Sequence, residues 1–451
     1  MITPSGRLLL WFSAIVLPLA LMGPIVPSMA IPSVLGILAF VLFVLMDALY
    51  SLGRDHGVGI IFQEVVRMSN GRQGSIPMTV ISGARKIGHL RIGLAFPKEI
   101  RPLKGELVVA PPAAGETSHF EWDCTPLKRG GYLFDNCHIE YPSAFGLWAI
   151  RRRLSASFEV RVYPNILGEK RSVAAILLNR GMPGQHFHRQ VGQGREFERL
   201  REYVHGDSYD SIHWKATARR HRPITKVYQL ERSQEVYVII DSSRLSARLP
   251  HSTHGGVQPE AGHESALERF ITAGLVLGMA AERQGDNFGL ITFSEGVGRF
   301  LRAGRGRSHF NACKEALYTL RNDPSTPDYN ELCSFISMKL RKRALLVFLT
   351  SLDDPVLSEA FIRNMEIIKR KHLPVACMIK PAGAEALFSG QPAGTIADVY
   401  ARLGGHLIWH DLNELGRTLA SQGVMFNMFE SGSLGSELVE MYSTLKRRQA
   451  L

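Results

Sequence analysis

The sequence predicts three kinds of structure in series: an N-terminal apolar helical hairpin, a β-rich sandwich-like domain, and a larger α/β domain on a parallel sheet. Three observations predict it. Residues 8–46 carry no charged side chain. From His56 to Tyr163, short apolar runs are separated by Gly, Pro and charged turns, the spacing of an antiparallel sandwich. From Glu235 onward, apolar runs of strand length alternate with amphipathic stretches of helical period. The boundaries read as 1–53 for two transmembrane helices, 54–165 for the sandwich, 166–232 for a connector, 233–430 for the α/β domain, and 431–451 for a C-terminal helix and basic tail.

As one helix the uncharged run would extend roughly 58 Å, nearly twice the hydrocarbon thickness of a bilayer. Pro24, Pro27 and Pro32, with Gly23 and Ser28, interrupt it near the middle. Two spans, 8–23 and 33–50, therefore form the hairpin. Arg7, Arg54 and Arg67 flank its outer ends, so the positive-inside rule puts both ends, and the bulk of the chain, in the cytoplasm at the inner membrane. A second reading takes Ser28-Met29-Ala30 as a signal-peptide cleavage site and the later run as a single anchor. Both tether the chain to the lipid bilayer. Asp47 falls at the membrane interface.

Lys and Arg number 53 against 41 Asp and Glu, a formal charge of +12. Aromatic residues do not interleave with the basic clusters, which argues against nucleic acid and for a surface beside a membrane. Cys124, Cys137, Cys313, Cys333 and Cys377 show no paired spacing, so neither a zinc ribbon nor a disulfide framework is expected. Within the sandwich, residues 128–132 (KRGGY) read as a glycine turn. Residues 142–147 (PSAFGL) read as a corner that closes it.

In the α/β half, strands are expected at 235–241, 288–293, 344–350, 374–379 and 406–410. Helices are expected at 265–283, 308–320, 330–340, 356–370, 411–421 and 436–446. Strands and helices in alternation imply right-handed crossovers and a parallel sheet covered on both faces. Asp241 closes the first strand at its carboxyl end, where open α/β sheets place their ligand sites. The histidines at 186, 188, 251, 254 and 263 lack complementary ligand spacing. Residues 298–306 hold three glycines without a Walker ending, and no nucleophile elbow occurs. No catalytic constellation emerges.

The connector holds the densest pattern, GREFERLREYVHGDSYDSIHWKATAR from Gly194 to Arg219. Residues 196–203 read as a short helix or turn closed by Gly206, with Asp207 or Ser208 capping a second helix over 209–219. Its aromatics read as anchors among paired charges, and Trp214, with Arg201 and Arg219, reads either as a buried, packed link between domains or as part of a partner contact. The string resembles the signature of the domain of unknown function 58 family, carried by Glu196, Phe197, Leu200, Arg201, Glu202, Tyr203, Gly206, Asp207, Ile212, Trp214, Lys215, Ala218 and Arg219. The resemblance implies a gene neighbourhood shared with MoxR-type AAA+ ATPases. It also implies a von Willebrand factor A-like, Rossmann-type α/β domain in the C-terminal half.

Domains of that kind can hold Mg²⁺ through Asp-x-Ser-x-Ser at the end of the first strand. Asp241 and Ser243 match, but Leu245 replaces the second serine and Ser246 comes one place late. Ser351 stands where a carboxylate is expected, with Asp353 and Asp354 beyond it, and the middle loop at 305–308 offers no threonine. A cation needing several oxygen ligands is poorly provided for, so the site reads as degenerate. The expectation is a non-enzymatic, membrane-anchored scaffold or adaptor without a cofactor, binding a MoxR-type ATPase. The alternative is a cation-dependent binder working through Asp241 and Ser243.

Overall fold

The computed structural model describes residues 2–52, 57–81, 89–111, 116–166, 191–205, 208–229, 234–248, 264–387, 389 and 395–448. It divides into two compact units, Met1–Asn165 and Ile166–Leu451.

The first unit opens with a strand the sequence did not suggest, β1 (Ile2–Pro4), followed by helices α1 (Gly6–Ile25) and α2 (Ala30–Leu52). Ser5 caps α1, its hydroxyl accepting from the Leu8 amide at 3.3 Å. The break falls at Pro27–Met29, a single 3-10 turn, because proline at 27 cannot donate the amide that would continue α1. Both helices are long and apolar enough to cross a membrane, and most of their large apolar side chains are exposed.

Among the described residues nine further strands build two sheets: β2 (Gly59–Phe62), β3 (Val65–Ser69), β4 (Gly74–Ile81), β5 (Leu90–Leu94), β6 (Ile100–Pro102), β7 (Leu107–Val109), β8 (Thr117–Pro126), β9 (Gly130–Pro142) and β10 (Trp148–Tyr163). One sheet runs β1-β10-β9-β5-β7 with β3 parallel to β10; the other runs β2-β4-β8-β6. Alternate residues of β4 and β8 point inward, as period-two patterning requires. Ile76, Met78, Trp122, Phe134 and Phe158 form a core shared by both sheets, with Phe134 and Phe158 stacked.

The corner at 142–147 does more than close the sheets. Gly146 (φ +74°) makes its turn, and the turn grips the hairpin. Ser143 donates to the Asp47 carboxylate at 2.6 Å, and the Phe145 amide donates to the same group at 3.3 Å. The Trp148 indole donates to the Val44 carbonyl at 3.0 Å, and Ser5 donates to the Gly146 carbonyl at 2.7 Å. Asp47 is thereby buried, a carboxylate satisfied by the sandwich where the sequence suggested only an interfacial position.

Among the described residues the first strand of the second unit is β11 (Val191–Glu202), antiparallel to β12 (Ile224–Gln229), with α3 (Trp214–Arg220) between them. The short helix expected over 196–203 is therefore a strand: its backbone bonds are met across the sheet, which local propensity cannot register. Then follow β13 (Glu235–Asp241), α4 (Ala266–Arg283), β14 (Asn287–Phe293), β15 (Val297–Gly304), α5 (Arg307–Tyr318), α6 (Tyr329–Lys339), β16 (Ala344–Leu349), α7 (Pro355–Ile368), β17 (Leu373–Ile379), α8 (Ile396–Ser421), β18 (Met425–Phe429) and α9 (Leu434–Arg447).

These strands form one sheet in the order β15-β14-β13-β16-β17-β18, parallel except for the antiparallel edge β15. Val236, Val238 and Ile240 of β13 face a core made with α4, α5 and α9, whereas Tyr237 and Ile239 face one made with α6, α7 and α8.

Three expectations are corrected. Residues 297–304, where no strand is expected from the sequence, are the edge strand β15. Residues 406–410, read as a strand, lie inside α8, whose start is set by a capping box of Thr395 and Asp398. The sixth strand is 425–429 instead. The C-terminal helix is part of this domain: Tyr442 is buried against α4 and donates to the buried Asp286, which also takes Lys446 at 2.7 Å.

Candidate functional site

The carboxyl end of β13 brings Asp241 beside the end of β16. Asp241 is fully buried, and its two oxygens are already engaged. One accepts from the Ser243 amide at 2.8 Å, the other from the Thr350 hydroxyl at 2.6 Å, and Thr350 shares a 2.9 Å hydroxyl contact with buried Tyr329. Burial pushes the Asp241 carboxyl above its ordinary range, and the Thr350 and Ser243 donors oppose the shift. The Tyr329 phenol is raised well above its usual value, first by burial and then by Asp241.

The serines follow the same inward logic. Ser243 Oγ accepts from the Leu245 amide at 3.4 Å, capping a 3-10 turn over Arg244–Ala247. Ser246, one place late, does reach this region, but it donates to the Asp241 backbone carbonyl at 2.7 Å rather than to the carboxylate. Leu245 is fully buried.

Of the downstream carboxylates, Asp353 pairs with Arg248. Asp354 caps α7 through the Val356 and Leu357 amides and lies 3.9 Å from Arg244. Two guanidinium groups thus supply the positive charge beside these carboxylates. Among the described residues no group of three or more His, Cys, Asp or Glu could hold a metal ion.

The middle loop lies elsewhere than the pattern expects. Arg305 donates to Asn287, at the start of β14, which puts residues 305–308 at the opposite end of the sheet from Asp241. The segment that does approach is the link from α5 to α6. There Ser325 accepts the Arg244 amide at 3.0 Å, Thr326 accepts from the Arg244 side chain at 3.3 Å, and Asp323 takes the Ser294 hydroxyl at 3.1 Å. The Ser325 amide and the Ser294 hydroxyl hold Asp323 below the usual carboxylate range. Thr350 and Tyr329, the groups that seal Asp241, escape the sequence pattern because it seeks a carboxylate one residue after Thr350.

The signature segment forms a second candidate surface. His213 caps α3, its Nδ1 accepting from the Ala216 amide at 3.0 Å. Thr217 accepts the Ile224 amide at 3.0 Å, and Ile212 bridges Thr225, so α3 is tied to β12 by its polar side. His221, in the left-handed region at φ +51°, ends the helix. Trp214, expected as a packed link or a partner contact, is 70% exposed, and Tyr209 is 74% exposed. Lys215 and Arg219 are exposed beside them, Glu202 pairs with Arg222 at 3.2 Å, and Tyr203 stacks on Tyr209. Arg201 is half-buried. Ser208 precedes the 3-10 turn at Tyr209–Ser211 without a side-chain cap. Gly206 and Asp207 lie outside the described residues, as do the side chains of Glu196 and Phe197 and the histidines at 186, 188, 251, 254 and 263.

Residues 199–391 match the model of the family described as "Protein of unknown function DUF58", so this part of the chain carries the domain of unknown function 58 that its signature string resembles. No curated protein matches. Solved structures with local likeness include a protein of unknown function from Porphyromonas gingivalis W83 (10% identity, 24% of this chain and 48% of that one, TM-score 0.18). Proximal thread matrix protein 1 from the mussel byssus matches at 11% identity over 48% and 46%, TM-score 0.25. WR4, a C. elegans MSP family member, matches at 13% identity over 23% and 99%, TM-score 0.15. The chain spans about half the length of the first two.

Proposed function

We propose that this protein is a membrane-anchored, non-enzymatic scaffold that binds a protein partner through the exposed aromatic and basic face of its signature segment. One observation carries the reading: Trp214 stands in solvent with Lys215 and Arg219 on a short helix tied down through Thr217, and Tyr209 is exposed in the 3-10 turn that precedes it. A tryptophan spared from the core yet fixed in place is the kind of residue that dominates protein interfaces. Resemblance to the domain of unknown function 58 family nominates a MoxR-type AAA+ ATPase as the partner, and assembly or maturation of another complex as the process.

A von Willebrand factor A-like identity for the α/β domain is supported by its strand order, with an antiparallel edge beside five parallel strands. Anchoring in the inner membrane by a retained hairpin, facing the cytoplasm, is supported by Arg7 in the first turn of α1. It is also supported by the pairing of Ile2–Pro4 with Trp148–Ile150, which keeps both ends of the hairpin on one side. The cation-dependent alternative is less well supported, because both Asp241 oxygens and the Ser243 hydroxyl serve the fold.

Pull-down of the ATPase from solubilised membranes tests the reading. Capture is expected to survive EDTA and to be lost in Trp214→Ala with folding intact. Capture unaffected by Trp214→Ala, or abolished by chelator and by Asp241→Ala alike, would overturn it.

A further inference from the structure

We infer that the N-terminal half of α8 is a self-association surface on which a second copy of this chain docks its own α8, antiparallel. The helix is built into the domain through Gly405, Leu412, Leu415 and Leu419, and its first nine residues, 396–404, include no buried one. At about 100° per residue these four lie on one face, and Ile396, Tyr400, Leu403 and Leu407 lie on the other. All four are exposed, Ile396 at 78% and Tyr400 at 71%. Their spacing of four, three and four residues is that of a coiled-coil seam, which positions side chains to interlock with a like helix.

The helix is also held rigidly enough to present that seam. A Cβ on Gly405 would lie 1.9 Å from the Gly383 carbonyl oxygen, so helix and loop are in direct backbone contact there. Docking therefore requires little ordering of the helix itself.

The occupant follows from charge and area. Positions flanking the seam are Ala397, Val399, Gly404 and His406, without Lys, Arg, Asp or Glu, so a strongly charged partner finds little to read and a like copy meets no repulsion. Asp398 and Arg402 balance each other and project away from the seam, which argues against an anionic lipid surface, where a basic polar face is needed. The seam ends in Asp411 and Glu414. A parallel pair would set Glu414 against Glu414. An antiparallel pair matching Ile396 to Leu407 and Tyr400 to Leu403 carries Asp411 just past the partner helix's N-terminus, where its negative charge is favoured. The four exposed side chains offer on the order of 450–500 Å² per copy, somewhat under about 1,000 Å² for the pair, the size of a weak, reversible interface. The two-fold pairing is self-complementary, as a symmetric dimer demands.

The test uses the full chain in detergent or nanodiscs. Its native cysteines are all buried, so introduced thiols report cleanly. Ile396→Cys and Leu407→Cys chains, mixed and oxidised, are expected to cross-link to each other several-fold more than either does alone. Leu403→Glu is expected to weaken dimerisation at least tenfold by mass photometry while Cys333 and Cys377 stay protected from maleimide. A monomer at micromolar concentration in which the thiol of Ile396→Cys is freely labelled would refute self-association. A monomer in which that thiol is shielded would mean that another segment of the chain covers the seam, and would refute it equally. Stronger cross-linking within each single variant than between the two would refute the antiparallel geometry.

Discussion

Asp241→Asn tests whether the charge at the end of β13 is needed or merely tolerated. The carboxylate is buried, and its two partners are a backbone amide and a hydroxyl that itself meets Tyr329. An asparagine can keep the Ser243 amide on its oxygen and donate one N–H to Thr350, which then donates to Tyr329; each group keeps one partner, and the second N–H and the Tyr329 proton are the donors left over. Asp241→Ala instead strands two buried donors at about 1–3 kcal/mol each, so a loss of about 3–5 kcal/mol is expected once the small cavity is included.

The pH dependence has a definite sign. Burial raises the folded carboxyl above its unfolded value, so the native state holds the proton more tightly. The group therefore stabilises at acid pH, and that contribution is lost as pH rises from the ordinary carboxylate range through the raised folded value. Asp241→Asn should fall short of the parent at low pH by about 1–3 kcal/mol for its added N–H and close that gap as pH rises, staying short of the Asp241→Ala loss at neutrality.

Urea titrations equilibrated at several pH values, each followed by a maleimide pulse at one fixed pH, read this out through Cys313, Cys333 and Cys377. All three are buried thiols of the α/β domain, so they report its unfolding separately from the sandwich. Asp241→Asn losing as much as Asp241→Ala at neutral pH would refute the reasoning and assign the charge a role outside the fold.

Other outcomes follow from particular contacts. Trp214→Ala should shift stability by no more than about 0.5 kcal/mol, as expected of an exposed side chain, and a loss of several kcal/mol in the same titration would return Trp214 to a packing role. Asp47→Ala should cost the first unit about 1–3 kcal/mol by stranding Ser143 and the Phe145 amide, read as faster labelling of Cys124 and Cys137. Gly405→Ala should destabilise by about 1–3 kcal/mol or more, because the helix must move off the Gly383 carbonyl; an unchanged urea midpoint would contradict that contact. His372, buried with both ring nitrogens unpartnered, is depressed to about 4, chiefly by burial. Its contribution to stability is present above the usual histidine range and lost as pH falls toward 4, so His372→Leu should flatten the acid limb of the same titration.

The parts legible in the sequence were those whose physics is local. The absence of charge over 8–46 and the prolines near its middle specify two apolar helices and their break, and period-two burial specifies strands such as β4. The EVYVIID run specifies a strand ending at Asp241. Signature residues identify relatives by chemistry that does not depend on where they lie in space. Partners distant in the chain decided the rest. Residues 196–202 became a strand because 224–229 supplies their hydrogen bonds. Residues 406–410 joined α8 because Gly405 admits the Gly383 backbone against an unbroken helix. Trp214 faces solvent because α3 is tied down by Thr217 and His213, whereas the sequence left so large an apolar side chain between a packed link and a contact surface. Asp241 stands where its strand places it, but only the adjacency of β13 and β16 brings Thr350 and Tyr329 over it. A motif specifies which groups a site contains, while burial and pairing, set by the packing of distant strands, decide whether those groups face a ligand or one another.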